Sequence, residues 1–157
     1  MLGAAGYGRG DVVRQITVLA CAITGAMTLD QVFQLDLGYA PAYNNPIDLV
    51  QTAGLVLTNK IEGLVKTISA DDYCRQPDRF RTIDVSPFAE HVQNAIPGSV
   101  NIPLENLRTE GLPYGKKEPY VLYSKTSSRA YEAYRYLITQ GFTDISVLEG
   151  GYNYWNQ

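Results

Sequence analysis

The residues best suited to chemistry sit in one short run. Tyr120-Val121-Leu122-Tyr123 is a β-rich stretch, and Ser124-Lys125-Thr126-Ser127-Ser128-Arg129 carries it into a helical pattern from Arg129 to Gln140. A loop between a strand and a helix start, with Lys125 and Arg129 beside the first helical amides, has the makings of an anion-binding site. For Ser124 to act as a nucleophile it would need a general base, because a serine hydroxyl is not ionised near neutral pH. The only histidine is His91. It falls within a helical run and reads as a partly buried structural residue rather than as that base. Asp84 reads as an acceptor that fixes a turn by hydrogen bonding.

Other chemistries find less support. Cys21 and Cys74 are far apart, neither has metal-ligand spacing around it, and one histidine cannot complete a zinc site, so no metal is expected. Cys21 lies in an apolar helical run and reads as a small buried hydrophobe. Gly6-Tyr7-Gly8-Arg9-Gly10 has almost no strand before it, and Asp11 stands where a dinucleotide fingerprint needs a small residue. It reads as a turn. The net charge is −3, with three basic and five acidic residues through Val65 and ten and eleven after it, so no nucleic-acid partner is expected. No secretory signal is visible, and the apolar stretch Ile16 to Met27 is too short to span a bilayer. A soluble, cytoplasmic protein without a membrane partner is the expectation.

Two kinds of pattern must position these residues. Met1 to Ala5 is a short apolar segment with strand character. From Asp11, Val12, Ile16, Leu19 and Ile23 keep the helical period, while Val13, Ala20 and Met27 add a second apolar row. An arc that wide is buried on more than one side. Thr28 and Gln31 form a capping-box signal for a short second helix. Asn45 as N-cap and Pro46 at the first helical position predict a third, with a stripe of Ile47, Val50, Gly54, Leu57 and Ile61 and a stop at Gly63. After Val65 strands and helices alternate. Thr82–Val85, Ser99–Ile102, Tyr120–Tyr123 and Ile145–Leu148 are β-rich, with helices at Ser86–Gln93 and Arg129–Gln140. This predicts an α/β fold with a parallel sheet and flanking helices over residues 66–157, preceded by a mostly helical segment over 1–65.

Ile83-Asp84-Val85, Ile96-Pro97-Gly98-Ser99-Val100-Asn101-Ile102-Pro103 and Leu148-Glu149-Gly150-Gly151 with Trp155 resemble, in order and spacing, the rhodanese-like family. The resemblance covers about Thr67 to Gln157. It implies that Ser124 stands at the position of the sulfur-carrying cysteine, that Arg129 matches the family arginine, and that the loop keeps the sulfurtransferase length rather than the longer phosphatase one. Ser86 replaces the arginine common after Asp-Val, and Asn94-Ala95 replaces the usual Gly-His. Residues 1–65 are similar to the end of the dimerisation domain of pyridine nucleotide-disulfide oxidoreductases of the coenzyme A-disulfide reductase and NADH oxidase branch. Leu2-Gly3-Ala4, Ile16–Ile23, Thr28-Leu29, Leu37–Tyr43 and Asp48–Gly54 carry that likeness. Some members of the branch continue into a rhodanese domain, in the order found here. Tyr39 matches a tyrosine that lies near the partner subunit's substrate site in that branch.

These resemblances imply a rhodanese-like unit without its catalytic cysteine, joined to a partial dimerisation segment. The flavin- and nucleotide-binding domains are not among these residues, so no FAD, NAD or other cofactor is expected, and Tyr39 is a vestigial oxidoreductase position. The expected role leans away from catalysis, toward an interaction or regulatory module. It would be a homodimer through residues 1–65, with a protein partner or small anion at Ser124, Lys125, Thr126, Ser127, Ser128 and Arg129. The alternative is a detached C-terminal piece of a flavin-dependent oxidoreductase that acts only with its other domains. A further alternative is an enzyme that uses Ser124 for sulfur or phosphate chemistry.

Overall fold

The computed structural model describes residues 3–6, 8, 10–38, 40–42 and 47–155. The chain divides into two compact units, Met1–Glu62 and Gly63–Gln157.

The second unit is built on strands β1 (Thr67–Ile68), β2 (Arg81–Asp84), β3 (Val100–Asn101), β4 (Tyr120–Tyr123) and β5 (Ile145–Leu148). They form a sheet in the order β1-β5-β4-β2-β3, with every neighbouring pair parallel. Parallel strands need crossover segments, and these cover both faces of the sheet. One face packs Ile83, Tyr120, Leu122, Ile145 and Val147 beneath α6 (Leu104–Glu110) and α7 (Ser127–Thr139). The other packs Val121, Tyr123 and Leu148 beneath α4 (Ala70–Arg75) and α8 (Gly151–Trp155). Burial on both sides explains why β4 and β5 are buried at every position, β4 as a continuous apolar run and β5 with Ser146 as its one polar residue.

The connections diverge at the middle of the sheet. From β2 the chain moves outward to β3, and from β4 it moves the other way to β5. The crevice beyond the carboxyl ends of β2 and β4 is therefore the switch point of this sheet, the place where parallel α/β folds leave room for a ligand. Asp84 ends β2 and Ser124 follows β4. Helix α5 (Phe88–Gln93) follows from the same end of β2, before the chain reaches β3.

The first unit contains α1 (Val12–Thr24), α2 (Leu29–Phe33) and α3 (Leu49–Ile61) around a small core of Leu19, Ala22, Val32 and Val50. Asp11 caps α1 by accepting from the Arg14 amide at 3.2 Å. The Thr28–Gln31 capping box is present, with the reciprocal bonds at 3.3 and 2.8 Å. Gly54 lets α3 approach α2 closely: a Cβ there would lie 3.6 Å from the Leu29 carbonyl and the Phe33 amide.

Four expectations for this unit are corrected or fall elsewhere. Helix α3 begins at Leu49, not at Pro46, because Asp48 makes its own capping box with Gln51. Asn45, Pro46 and Tyr39 lie outside the described residues. Residues 3–6 form no strand. Cys21 is exposed, because the buried line of α1 runs through Gln15, Leu19 and Ala22, and Cys21 lies one residue off it. Val13, Leu49 and Ile61 remain 80, 60 and 75 % exposed, so the apolar surface of this unit exceeds what its own core covers.

Candidate functional site

The site is assembled from the carboxyl ends of β2 and β4. Ser124 leaves β4 almost fully buried, and its hydroxyl donates to the Thr126 carbonyl two residues on. The loop is held from behind by the start of α8. The Tyr152 amide donates to the Ser124 carbonyl at 2.9 Å and the Asn153 amide to the Lys125 carbonyl at 3.1 Å. Gly151, with φ +64°, makes this fit possible: a Cβ there would collide with the Ser124 carbonyl and lie 2.8 Å from the Thr126 carbonyl carbon. The Ser127 hydroxyl reaches the Leu148 carbonyl at 3.4 Å. Thr126 occupies the N-cap of α7 in extended geometry but makes no side-chain cap, so no side chain at the cap takes up the first amides of this 13-residue helix.

Asp84 organises the β2 side of the crevice. Its Oδ1 accepts from the Ser86 amide at 2.9 Å, and its Oδ2 bonds His91 Nδ1 at 2.8 Å. Asn101 Nδ2 donates to the carbonyls of Asp84 and Ser86 at 3.1 and 2.9 Å. Asp84 therefore does fix a turn, as its position suggests, and His91 is a partly buried structural partner for it. The Ser124 hydroxyl bonds to a backbone carbonyl rather than to a basic nitrogen, so this geometry contains no activated serine.

Two supporting residues escaped the sequence reading. Tyr123, the last residue of β4, is fully buried. Its hydroxyl accepts from the Ile96 amide at 3.0 Å and shares a hydrogen with Ser99 Oγ at 2.7 Å. Burial pushes its pKa up to about 12, against a lowering by the bonds from Ser99 and Ile96. It thus ties β4 to the Ile96–Ser99 turn. Glu90 on α5 sets both carboxylate oxygens against Arg129 Nη1, at 3.2 and 3.1 Å. The sequence signal for it was an acid in the first turn of a short helix, which more often marks dipole compensation than a partner across a crevice.

Beside these groups lies a small cleft lined by Ser86, Glu90, Gln93, Asn94, Lys125 and Tyr152. Lys125 is exposed there and makes no ion pair among the described residues. Cys74 is elsewhere. It is exposed on α4 beside Tyr73, whose hydroxyl meets Thr82 Oγ1 at 2.9 Å near the amino end of β2, whereas Ser124 follows the carboxyl end of β4. Among the described residues no helix is long and apolar enough to cross a membrane.

Comparison with known proteins gives the same outline. The model of the rhodanese-like domain matches residues 69–157. The solved structure of reduced CoADR-RHD from Bacillus anthracis superposes with a TM-score of 0.88 at 29 % identity, covering 95 % of this chain and 27 % of that one. A NAD-dependent persulfide reductase from A. fulgidus superposes with a TM-score of 0.83 at 32 % identity, covering 94 % of this chain and 26 % of its own. Coenzyme A disulfide reductase of Staphylococcus haemolyticus is 37 % identical over 54 residues, which is 34 % of this chain and 12 % of that protein. The chain thus spans about a quarter of the two solved proteins and a smaller part of the reductase.

Proposed function

The chain belongs to the rhodanese-like family, and on that premise we propose that its second unit is a catalytically inactive member that serves as an interaction or regulatory module. One observation carries this reading: Ser124 occupies the end of β4 at the mouth of the crevice, with its hydroxyl engaged by the Thr126 carbonyl. Sulfur transfer in this family needs a thiolate that attacks a sulfane sulfur, expels the donor's remaining group and holds the sulfur as a persulfide. An alcohol forms no persulfide, and no base activates this one. Cys74 is exposed on α4, outside the Ser124–Arg129 loop.

The loop Ser124–Arg129 retains the parts of an anion site even so. The first amides of α7 have no side-chain cap, Lys125 stands at the rim of the cleft, and Arg129 lies within the first turn of the helix. It therefore binds small oxyanions weakly. The first unit, similar to an oxidoreductase dimerisation segment, pairs two copies of the chain. A second reading is favoured by the likeness to CoADR-RHD over both units: the chain supplies the C-terminal part of a flavin-dependent oxidoreductase and works only with the other domains.

Protein incubated with thiosulfate and washed should release no cyanide-labile sulfur above a denatured control, while sulfate titration should move the amide signals of Ser124 to Arg129. Cyanide-labile sulfur in proportion to protein would overturn the inactive reading. A stoichiometric flavoprotein co-purified from the native cell would favour the second reading over the first.

A further inference from the structure

We propose that Glu90 is the specificity-determining residue of the Ser124–Arg129 loop, acting as a resident counter-ion that sets which anions the loop accepts. This deepens the reading of the loop as an anion site and rests on it. Arg129 is the cation of that loop with fork geometry, the arrangement suited to oxyanions. In this structure one arm of the fork is engaged, since Nη1 lies 3.2 and 3.1 Å from the two oxygens of Glu90. Glu90 also lines the cleft at the loop's mouth, so its charge faces an incoming ligand as well as Arg129. Ser86 and Asn94 line the same cleft and add no charge, and Lys125 is the one cation of the lining. An oxyanion at Arg129 therefore meets a side chain that already holds a carboxylate, and one bound by Lys125 has that carboxylate beside it.

Two consequences follow. Removing the charge of Glu90 frees Arg129 and lifts a repulsion, so affinity for oxyanions rises. The repulsion grows with ligand charge, so the gain is larger for a divalent anion than for a monovalent one. The pair is partly exposed, at 41 and 35 % for the two side chains, which keeps the effect modest. An exposed pair of this kind corresponds to roughly two- to fivefold in affinity.

The test is an amide-detected titration of the full chain with sulfate and with nitrate at constant ionic strength, for the wild type, Glu90→Gln, Arg129→Ala and the double variant. Sulfate should bind Glu90→Gln roughly two- to fivefold more tightly than wild type, with a smaller change for nitrate. In the Arg129→Ala background Glu90→Gln should give a smaller gain, because Glu90 acts largely through Arg129. Equal or weaker sulfate binding by Glu90→Gln, with the wild type still binding, overturns the role of Glu90 and leaves the anion site standing. If neither protein binds sulfate at high millimolar concentration, both the role and the site are wrong. Should Glu90→Gln lose its cooperative melt, Glu90→Ala, which also removes the charge, reads the same quantity.

Discussion

At the end of β4 a hydroxyl and a thiol fill similar space but differ in what they can hold. Under the proposed reading, Ser124 keeps the backbone of the loop and lacks the atom that would carry sulfur. Ser124→Cys should regain some cyanide-labile sulfur after thiosulfate treatment, since Arg129 and the loop length are retained. If the variant takes up none, the departures at Ser86, Asn94 and Ala95 have also removed the means of activating a thiol. Tyr123 offers a second residue-level test. Its folded pKa, about 12, lies above the ordinary tyrosine value of 10.0. Below pH 10 the phenol is protonated in both folded and unfolded chains, and its contribution is fully present. Between pH 10 and 12 the unfolded chain loses the proton first, so stability falls across that window, by roughly 2–3 kcal/mol at its end. Denaturant titrations from pH 8 upward should show this loss. Tyr123→Phe should lose less over the same window while starting lower by about 1–3 kcal/mol, because the Ile96 amide and Ser99 hydroxyl lose their partner. An identical alkaline slope in the two proteins would place the titrating group elsewhere. These roles were unevenly legible in the sequence. Asp84 could be read as an acceptor that fixes a turn, and the Ser124–Arg129 loop could be picked out by its place between a strand and a helix. Glu90 and Tyr123 could not, since each acts on a residue from another element.

At the scale of the element, β4 and β5 were read to the residue because both faces of the sheet bury them, leaving β-rich runs with Ser146 as the one polar residue. The edge strand β1 went unseen. It has two residues, and its pairing with β5 through Thr67–Val147 and Ile68–Leu148, rather than any pattern of its own, makes it a strand. Helices α4, α6 and α8 are five to seven residues long, too short for a helical period to stand out. The displaced start of α3 has a local cause: Asp48 with Gln51 forms a complete capping box later in the sequence than Asn45. The turn from β5 into α8 gives the sharpest element-level prediction. Gly151→Ala would strain a backbone at φ +64° and push a methyl group against the Ser124 loop. It should destabilise the rhodanese-like unit by roughly 1–3 kcal/mol in denaturant unfolding and shift the amide signals of Ser124 to Thr126. An unchanged midpoint with unmoved loop signals would mean that α8 does not hold the loop.

At the scale of the whole molecule, the two patterns read in the sequence, helical first and alternating after, correspond to chain segments with different demands. The second unit closes a core on both faces of its sheet. The first has a core of four buried apolar residues and leaves Val13, Ile47, Leu49 and Ile61 largely exposed. Apolar surface of that extent is usually covered by a partner, most simply a second copy about a two-fold axis. Light scattering at micromolar concentration should give twice the 17.4 kDa chain mass. A chain beginning at Gly63, which keeps Val65 in the core it packs against, should be a monomer. A monodisperse monomer of the full chain, or equal dimerisation of the shortened one, would contradict this assignment. Dimerisation is one expectation for this chain; inactivity of the Ser124 loop in sulfur transfer is the central one. The most direct test of that claim is steady-state thiocyanate formation from thiosulfate and cyanide by the purified full chain, with Ser124→Cys measured alongside. The account predicts that the wild-type rate equals that of the heat-denatured protein at every enzyme concentration. A wild-type rate well above that control and proportional to protein would contradict it.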